Sequence, residues 1–160
     1  MELNIILNGE KKTLEITPNA FLLDVLRDQA GMKSVKRGCG EGTCGACAVL
    51  IDGRLLNSCI TFAAHCEGAT VLTVEGIGNH EQPHMLQKAF VAHGATQCGY
   101  CNPGSLLAAK ALLDRNPNPT ENQVKEALDG NLCRCTGYVK RIEAVLDAAK
   151  EMKSSQEEKR

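Results

Sequence analysis

Eight of the nine cysteines in this 160-residue chain fall into two quartets: Cys39, Cys44, Cys47 and Cys59, then Cys98, Cys101, Cys133 and Cys135. Thiolates in fours are metal ligands. A C-x4-C-x2-C run with a more distant fourth cysteine is the spacing with which one loop feeds both irons of a [2Fe-2S] cluster. The chemistry expected from two such clusters is one-electron transfer. Gly38, Gly40, Gly42 and Gly45 interleave with Cys39, Cys44 and Cys47. A loop curling around a sulfide core needs positive φ and close backbone approach, and its inward N–H groups offset the negative charge. In the second quartet, Cys98-Gly99-Tyr100-Cys101 and Cys133-Arg134-Cys135 each precede a predicted helix. Asn102 and Thr136 are the expected N-caps, with Pro103 at the first helical position. Two positive helix ends would then face one anionic cluster in a pseudo-twofold cage.

Three other readings of the same residues carry less. Gly40-Glu41-Gly42-Thr43-Cys44-Gly45 has the form G-x-G-x-x-G, but a dinucleotide loop follows a strand and opens a helix, whereas here a strand is expected to follow. The C-x-x-C pairs Cys44/Cys47 and Cys98/Cys101 would suit a dithiol oxidoreductase, yet each has further cysteines completing a quartet and neither sits in a βαβ unit. Four thiolates also suit structural zinc, and for the second quartet that alternative stands, although Cys133-x-Cys135 is tighter than the usual knuckle. Cys66 lies outside both quartets and is expected to be a small buried hydrophobe. His65, His80, His84 and His93 have no paired helical spacing and are read as surface or core residues, and Lys36 and Arg37 as a solvated pair. Tyr100 and Tyr138 are expected to shield the second cluster from water.

These residues must be positioned by a small scaffold. Aromatics make up 3% of the chain and tryptophan is absent, so the core must come from Leu, Ile, Val and Ala. The net charge of -1, with no basic stripe, gives no footing for nucleic acid. No membrane span or signal peptide is expected, and the odd cysteine count argues against a disulfide framework, which places the chain in the cytoplasm. Leu3–Leu7 and Leu14–Ile16 flank Asn8-Gly9 as one hairpin, and Ala48–Ile51 and Arg54–Leu56 flank Asp52-Gly53 as another, with Val71–Val74 closing the sheet. Phe21–Gln29 is expected to be helical. Beyond a division near Gly76–Pro83 the period becomes helical in Met85–His93, Pro103–Asn116, Glu121–Asp129 and Tyr138–Met152, with a capping box at Thr120 and a buried stripe of Ile142, Val145, Leu146 and Ala149. The fold class is α+β: residues 1–77 form one domain, 83–152 an all-α four-helix domain, and 153–160 a polar, solvated tail.

The segments Gly38–Cys47, Gln97–Gly104 and Gly130–Tyr138 resemble the signatures of one family, the small iron–sulfur subunit of the molybdenum hydroxylases (xanthine dehydrogenase, aldehyde oxidoreductase and carbon monoxide dehydrogenase), and the likeness runs from about Leu3 to Met152. The resemblance implies a plant-type ferredoxin-like (β-grasp) domain followed by a helical [2Fe-2S]-binding domain. It implies two [2Fe-2S] clusters, one on Cys39, Cys44, Cys47 and Cys59, the other on Cys98, Cys101, Cys133 and Cys135. Gln97 would hydrogen-bond the molybdopterin of a large partner subunit, and the Cys135 sulfur would lie beside it. Electrons would run from molybdenum through the second cluster and then the first to FAD in a medium subunit. The assembly would be a hetero-oligomer, a dimer of heterotrimers being one form, and the chain alone would have no substrate chemistry. Asn102 and Ala48 stand where the family more commonly has Thr. A purine or other N-heterocycle is the expected substrate, with aldehydes, carbon monoxide and aromatic thioesters left open by the family. The competing function is a freestanding cysteine-rich zinc or iron scaffold that mediates assembly.

Overall fold

The computed structural model describes residues 1–157. Strand β1 (Glu2–Leu7) turns back into β2 (Glu10–Glu15) through Asn8 and Gly9, whose φ values of 51° and 88° give the left-handed two-residue turn that matches strand twist. A short helix α1 (Leu22–Asp24) runs into a π-helical turn at Val25–Gln29, so the predicted helix is present but widened and underwound in its second half. Strands β3 (Ala48–Ile51) and β4 (Arg54–Asn57) pair around Asp52-Gly53, and β5 (Thr70–Leu72) completes a mixed sheet of order β2-β1-β5-β3-β4. The β1–β5 pairing is parallel and the others are antiparallel. Strand β5 ends at Leu72, two residues short of the expected strand end, and Val74 lies in a 3-10 turn beyond it.

The second half is helical as its period implies: α2 (Met85–Ala92), α3 (Asn102–Arg115), α4 (Glu121–Leu128) and α5 (Val139–Glu157). The capping box at Thr120 is formed with Gln123. A second one, at His84 with Gln87, starts α2 through the imidazole Nδ1, so this histidine has a local structural task. Helix α5 overruns the predicted end, continuing through residues 153–157 of the expected tail; 158–160 lie outside the described residues. Among the described residues no helix is long and apolar enough to cross a membrane.

Two cores form, one between the sheet and α1, the other among the four helices. They are not separated by open linker. Leu50 of β3 meets Leu107 and Ala111 of α3, with Leu55, Leu72 and Ile77 around them. All four residues of β3 are therefore buried, since one face lies in the core that includes α1 and the other packs against α3. Burying side chains of this size stabilises by roughly 1.5–3 kcal/mol each, enough to dock the halves against one another.

Candidate metal centres

The first cysteine loop, between α1 and β3, turns on Gly40, Gly42 and Gly45 at φ of 74°, 83° and 69°. These turns point backbone donors at sulfur. The N–H groups of Glu41 and Thr43 donate to Cys39 Sγ at 3.4 and 3.2 Å, and Cys39 N–H donates to Cys44 Sγ at 3.3 Å. Thr43 and then the Glu41 N–H, aimed at exposed Cys39, hold its thiol pKa down at about 5. Asn57 braces the loop by donating to the Gly42 carbonyl at 2.8 Å. Cys47 and Cys59 are buried beneath it, and burial, then the neighbouring Cys47 thiol, pushes Cys59 up to about 11. Arg37 is not merely solvated: it pairs with Asp24, and its carbonyl accepts from the Tyr100 hydroxyl.

The second centre gathers two loops, one between α2 and α3, the other between α4 and α5. Cys98 and Cys135 face each other at 3.6 Å between sulfurs and are exposed, Cys133 is half-buried, and Cys101 is buried. Cys133 Sγ meets the Thr136 hydroxyl at 3.2 Å and accepts the N–H groups of Cys135 and Thr136, both at 3.4 Å. Burial works against ionisation of this thiol, but these donors win and its pKa falls to about 7. The Tyr100 N–H lowers Cys98, and the adjoining Cys98 thiol raises Cys135.

Neither expected N-cap operates. Cys101 itself occupies the N-cap of α3 without a side-chain cap bond, and Asn102 instead donates to Thr96 at 2.9 Å and accepts from Arg141 at 3.0 Å. Thr136 lies too far upstream of α5 and serves Cys133; Tyr138, at φ 70°, precedes the helix and its carbonyl accepts from Ile142 N–H. Its hydroxyl accepts from Cys133 N–H at 2.9 Å. Tyr100 is 46% exposed, so it ties the two cysteine loops together at the surface rather than screening sulfur from water. Gln97 is exposed in the α2–α3 loop near Cys98. Cys66 is buried as expected, and His93 is bound to Asp147 at 2.9 Å.

Arg141 is the residue that sequence reasoning passed over. It is 1% exposed, and its guanidinium donates to Ser105 Oγ and Cys101 Sγ, both at 2.8 Å. Burial raises the Cys101 thiol pKa, with Arg141 pulling against it. The available signal was its spacing, i, i+4, i+7 with Val145 and Ala148 on the stripe that packs inward.

The centres touch. Leu132 N–H donates to the Cys44 carbonyl at 3.0 Å, and buried Asn131 donates to the Gly45 carbonyl at 3.1 Å. Among the described residues no three Cys, His, Asp or Glu side chains converge as around a single ion. A binuclear cluster is wider than one ion, and the inward N–H donors and anionic sulfurs suit its charge.

Comparison with known proteins agrees with this construction. The 2Fe-2S iron-sulfur cluster binding domain family matches residues 5–71, and the [2Fe-2S] binding domain family matches residues 73–146. The chain is 49% identical to the nicotinate dehydrogenase small FeS subunit of Eubacterium barkeri, over 86% of this chain and 88% of that one. It superposes on the quinoline 2-oxidoreductase of Pseudomonas putida 86 with a TM-score of 0.92 and 40% identity, covering 96% of both chains. The aldehyde oxidoreductase of Desulfovibrio desulfuricans ATCC 27774 gives a TM-score of 0.94 at 45% identity, covering 96% of this chain but only 17% of that much longer one. The zinc scaffold is not favoured by any of these likenesses. Two joined [2Fe-2S]-binding domains and relatives of this kind place the chain in the family of small iron–sulfur subunits of the molybdenum hydroxylases, an electron-transfer component of an oxidoreductase.

Proposed function

We propose that Cys39, Cys44, Cys47 and Cys59 hold one [2Fe-2S] cluster and Cys98, Cys101, Cys133 and Cys135 the other, and that electrons pass between them on the way from a molybdopterin-bearing large subunit to an FAD-bearing medium subunit. The clusters supply two one-electron carriers; the chain supplies their spacing and their hydrogen bonds. Exposed Gln97 and Cys135 form the edge that faces the molybdopterin. Exposed Cys39 marks the edge of the first cluster that faces FAD. The observation that carries this reading is the Leu132–Cys44 hydrogen bond, which joins the backbone beside Cys133 of one quartet to a cysteine of the other.

The assembly is a cytoplasmic hetero-oligomer, with an N-heterocycle hydroxylated on the large subunit; the nicotinate and quinoline enzymes among its relatives support that substrate class. Iron, sulfide and zinc analysis with EPR of anaerobically purified, dithionite-reduced protein tests the core of the proposal. About four irons per chain and two distinct signals are expected. A colourless zinc protein, or a single cluster, would overturn it.

A further inference from the structure

Arg141 is the largest fully buried side chain among the described residues. Among the described residues it forms no ion pair with a carboxylate; its contacts are Ser105, Asn102 and Cys101. Its Nε is buried with no protein acceptor, so the guanidinium still has a donor for an anion. A buried cation without a counter-charge is strongly unfavourable, and guanidinium cannot escape by losing its proton. The anion that compensates it must therefore come from the second cysteine quartet. Ser105 fixes this arrangement: its hydroxyl donates to the Cys101 carbonyl at 3.1 Å while accepting from Arg141 at 2.8 Å.

We propose that Arg141 is a fixed counter-charge that raises the reduction potential of the second cluster. The inference rests on the two-cluster reading above and assigns Arg141 as a positioning residue for charge. Reduction adds an electron to a centre already anionic from its thiolates and sulfides. A permanent cation bonded to Cys101 Sγ, in a buried site where water screens weakly, stabilises the reduced form more than the oxidised form. The second cluster is thereby made the readier acceptor for electrons arriving at the Cys135 edge.

The test is an anaerobic redox titration of the loaded protein in its complex, with each cluster followed by its own EPR signal. In Arg141→Met the reduced-to-oxidised ratio of the second cluster at fixed potential should fall about tenfold, equivalent to about 59 mV for one electron, while the first cluster keeps its midpoint. Arg141→Lys, which retains the charge, should recover most of the loss. An unchanged second midpoint in Arg141→Met, or an equal shift of both clusters, would overturn the proposal. Should Arg141→Met assemble no second cluster, Ser105→Ala decides: losing the guanidinium's anchor should lower the same ratio about threefold, and an unmoved midpoint there is equally fatal. Failure of the wild-type protein to give two EPR signals would instead remove the underlying two-cluster reading, so the two failures are separable.

Discussion

Leu132 donates its backbone N–H to the carbonyl of Cys44 at 3.0 Å, and the next residue along the chain is Cys133. One hydrogen bond thus links a cysteine of the first quartet to the immediate neighbour of a cysteine of the second. Its surroundings keep it short. Gly45 packs against Gly104 and against the carbonyl of Gly130, distances of approach that only residues without Cβ allow.

Gly45→Ala is expected to open this junction. The new Cβ would strike the Gly130 carbonyl and lie 2.6 Å from Asn131 Nδ2, at a φ of 69°. A destabilisation of about 2 kcal/mol or more should appear in thermal unfolding, together with slower electron exchange between the clusters in pulse reduction. Gly53→Ala is the control: φ is 77° but nothing lies within 4 Å of the added methyl, so it should cost about 1 kcal/mol and leave exchange untouched.

At the proposed molybdopterin edge, Cys135→Ser should abolish internal electron transfer in the reconstituted complex. Gln97→Ala should slow it about tenfold or more without changing iron content, since one polar contact of an exposed residue is removed and no sulfur is lost. Stopped-flow reduction of the clusters by substrate reads both. Turnover at the wild-type rate in Cys135→Ser would remove that cysteine from the path.

Iron removal should act unequally on the two halves. The helical half would be left with Arg141 buried and without the anion that balances it, so its thermal transition is expected to broaden and fall in temperature. The sheet has a core that does not rely on a buried charge and should melt closer to its original midpoint. Calorimetry of chelated and loaded protein would show whether the transition splits; one equally cooperative transition in both would contradict it.

The iron-free chain should also reveal its thiol electrostatics. Cys39, exposed and with its pKa lowered to about 5 by the Thr43 and Glu41 donors, is largely thiolate at pH 6, and lowering the pH through 5 should protect it. Cys133, at about 7, should become reactive about two pH units later, and Cys59, raised to about 11 by burial, should be the slowest. Iodoacetamide labelling between pH 4 and 9, read residue by residue by mass spectrometry, gives the order.

Much of this was legible in the chain itself. Turn chemistry placed both hairpins, because Asn8-Gly9 and Asp52-Gly53 favour one turn geometry almost regardless of context. Apolar period placed the four helices, and cysteine spacing singled out the loops in which the two quartets gather. What failed depended on contacts between distant segments. Asn102 looks like an N-cap until Arg141 and Thr96 claim its amide, and Thr136 until Cys133 claims its hydroxyl. Tyr100 reads as a shield because local sequence cannot show that the Arg37 carbonyl lies within its reach. Arg141 was passed over despite its helical spacing with Val145 and Ala148, because a charged residue is ordinarily assigned to the solvent side.

Strand β3, covered on both sides, means that the halves of this polypeptide are not interchangeable modules. Excising the ferredoxin-like portion would lay Leu50, Leu55 and Leu72 bare where α3 had rested, an oily strip suited to self-association. Grafting either half onto another carrier would therefore require redesigning that seam first, and natural fusions of this chain to longer enzymes should retain both halves together.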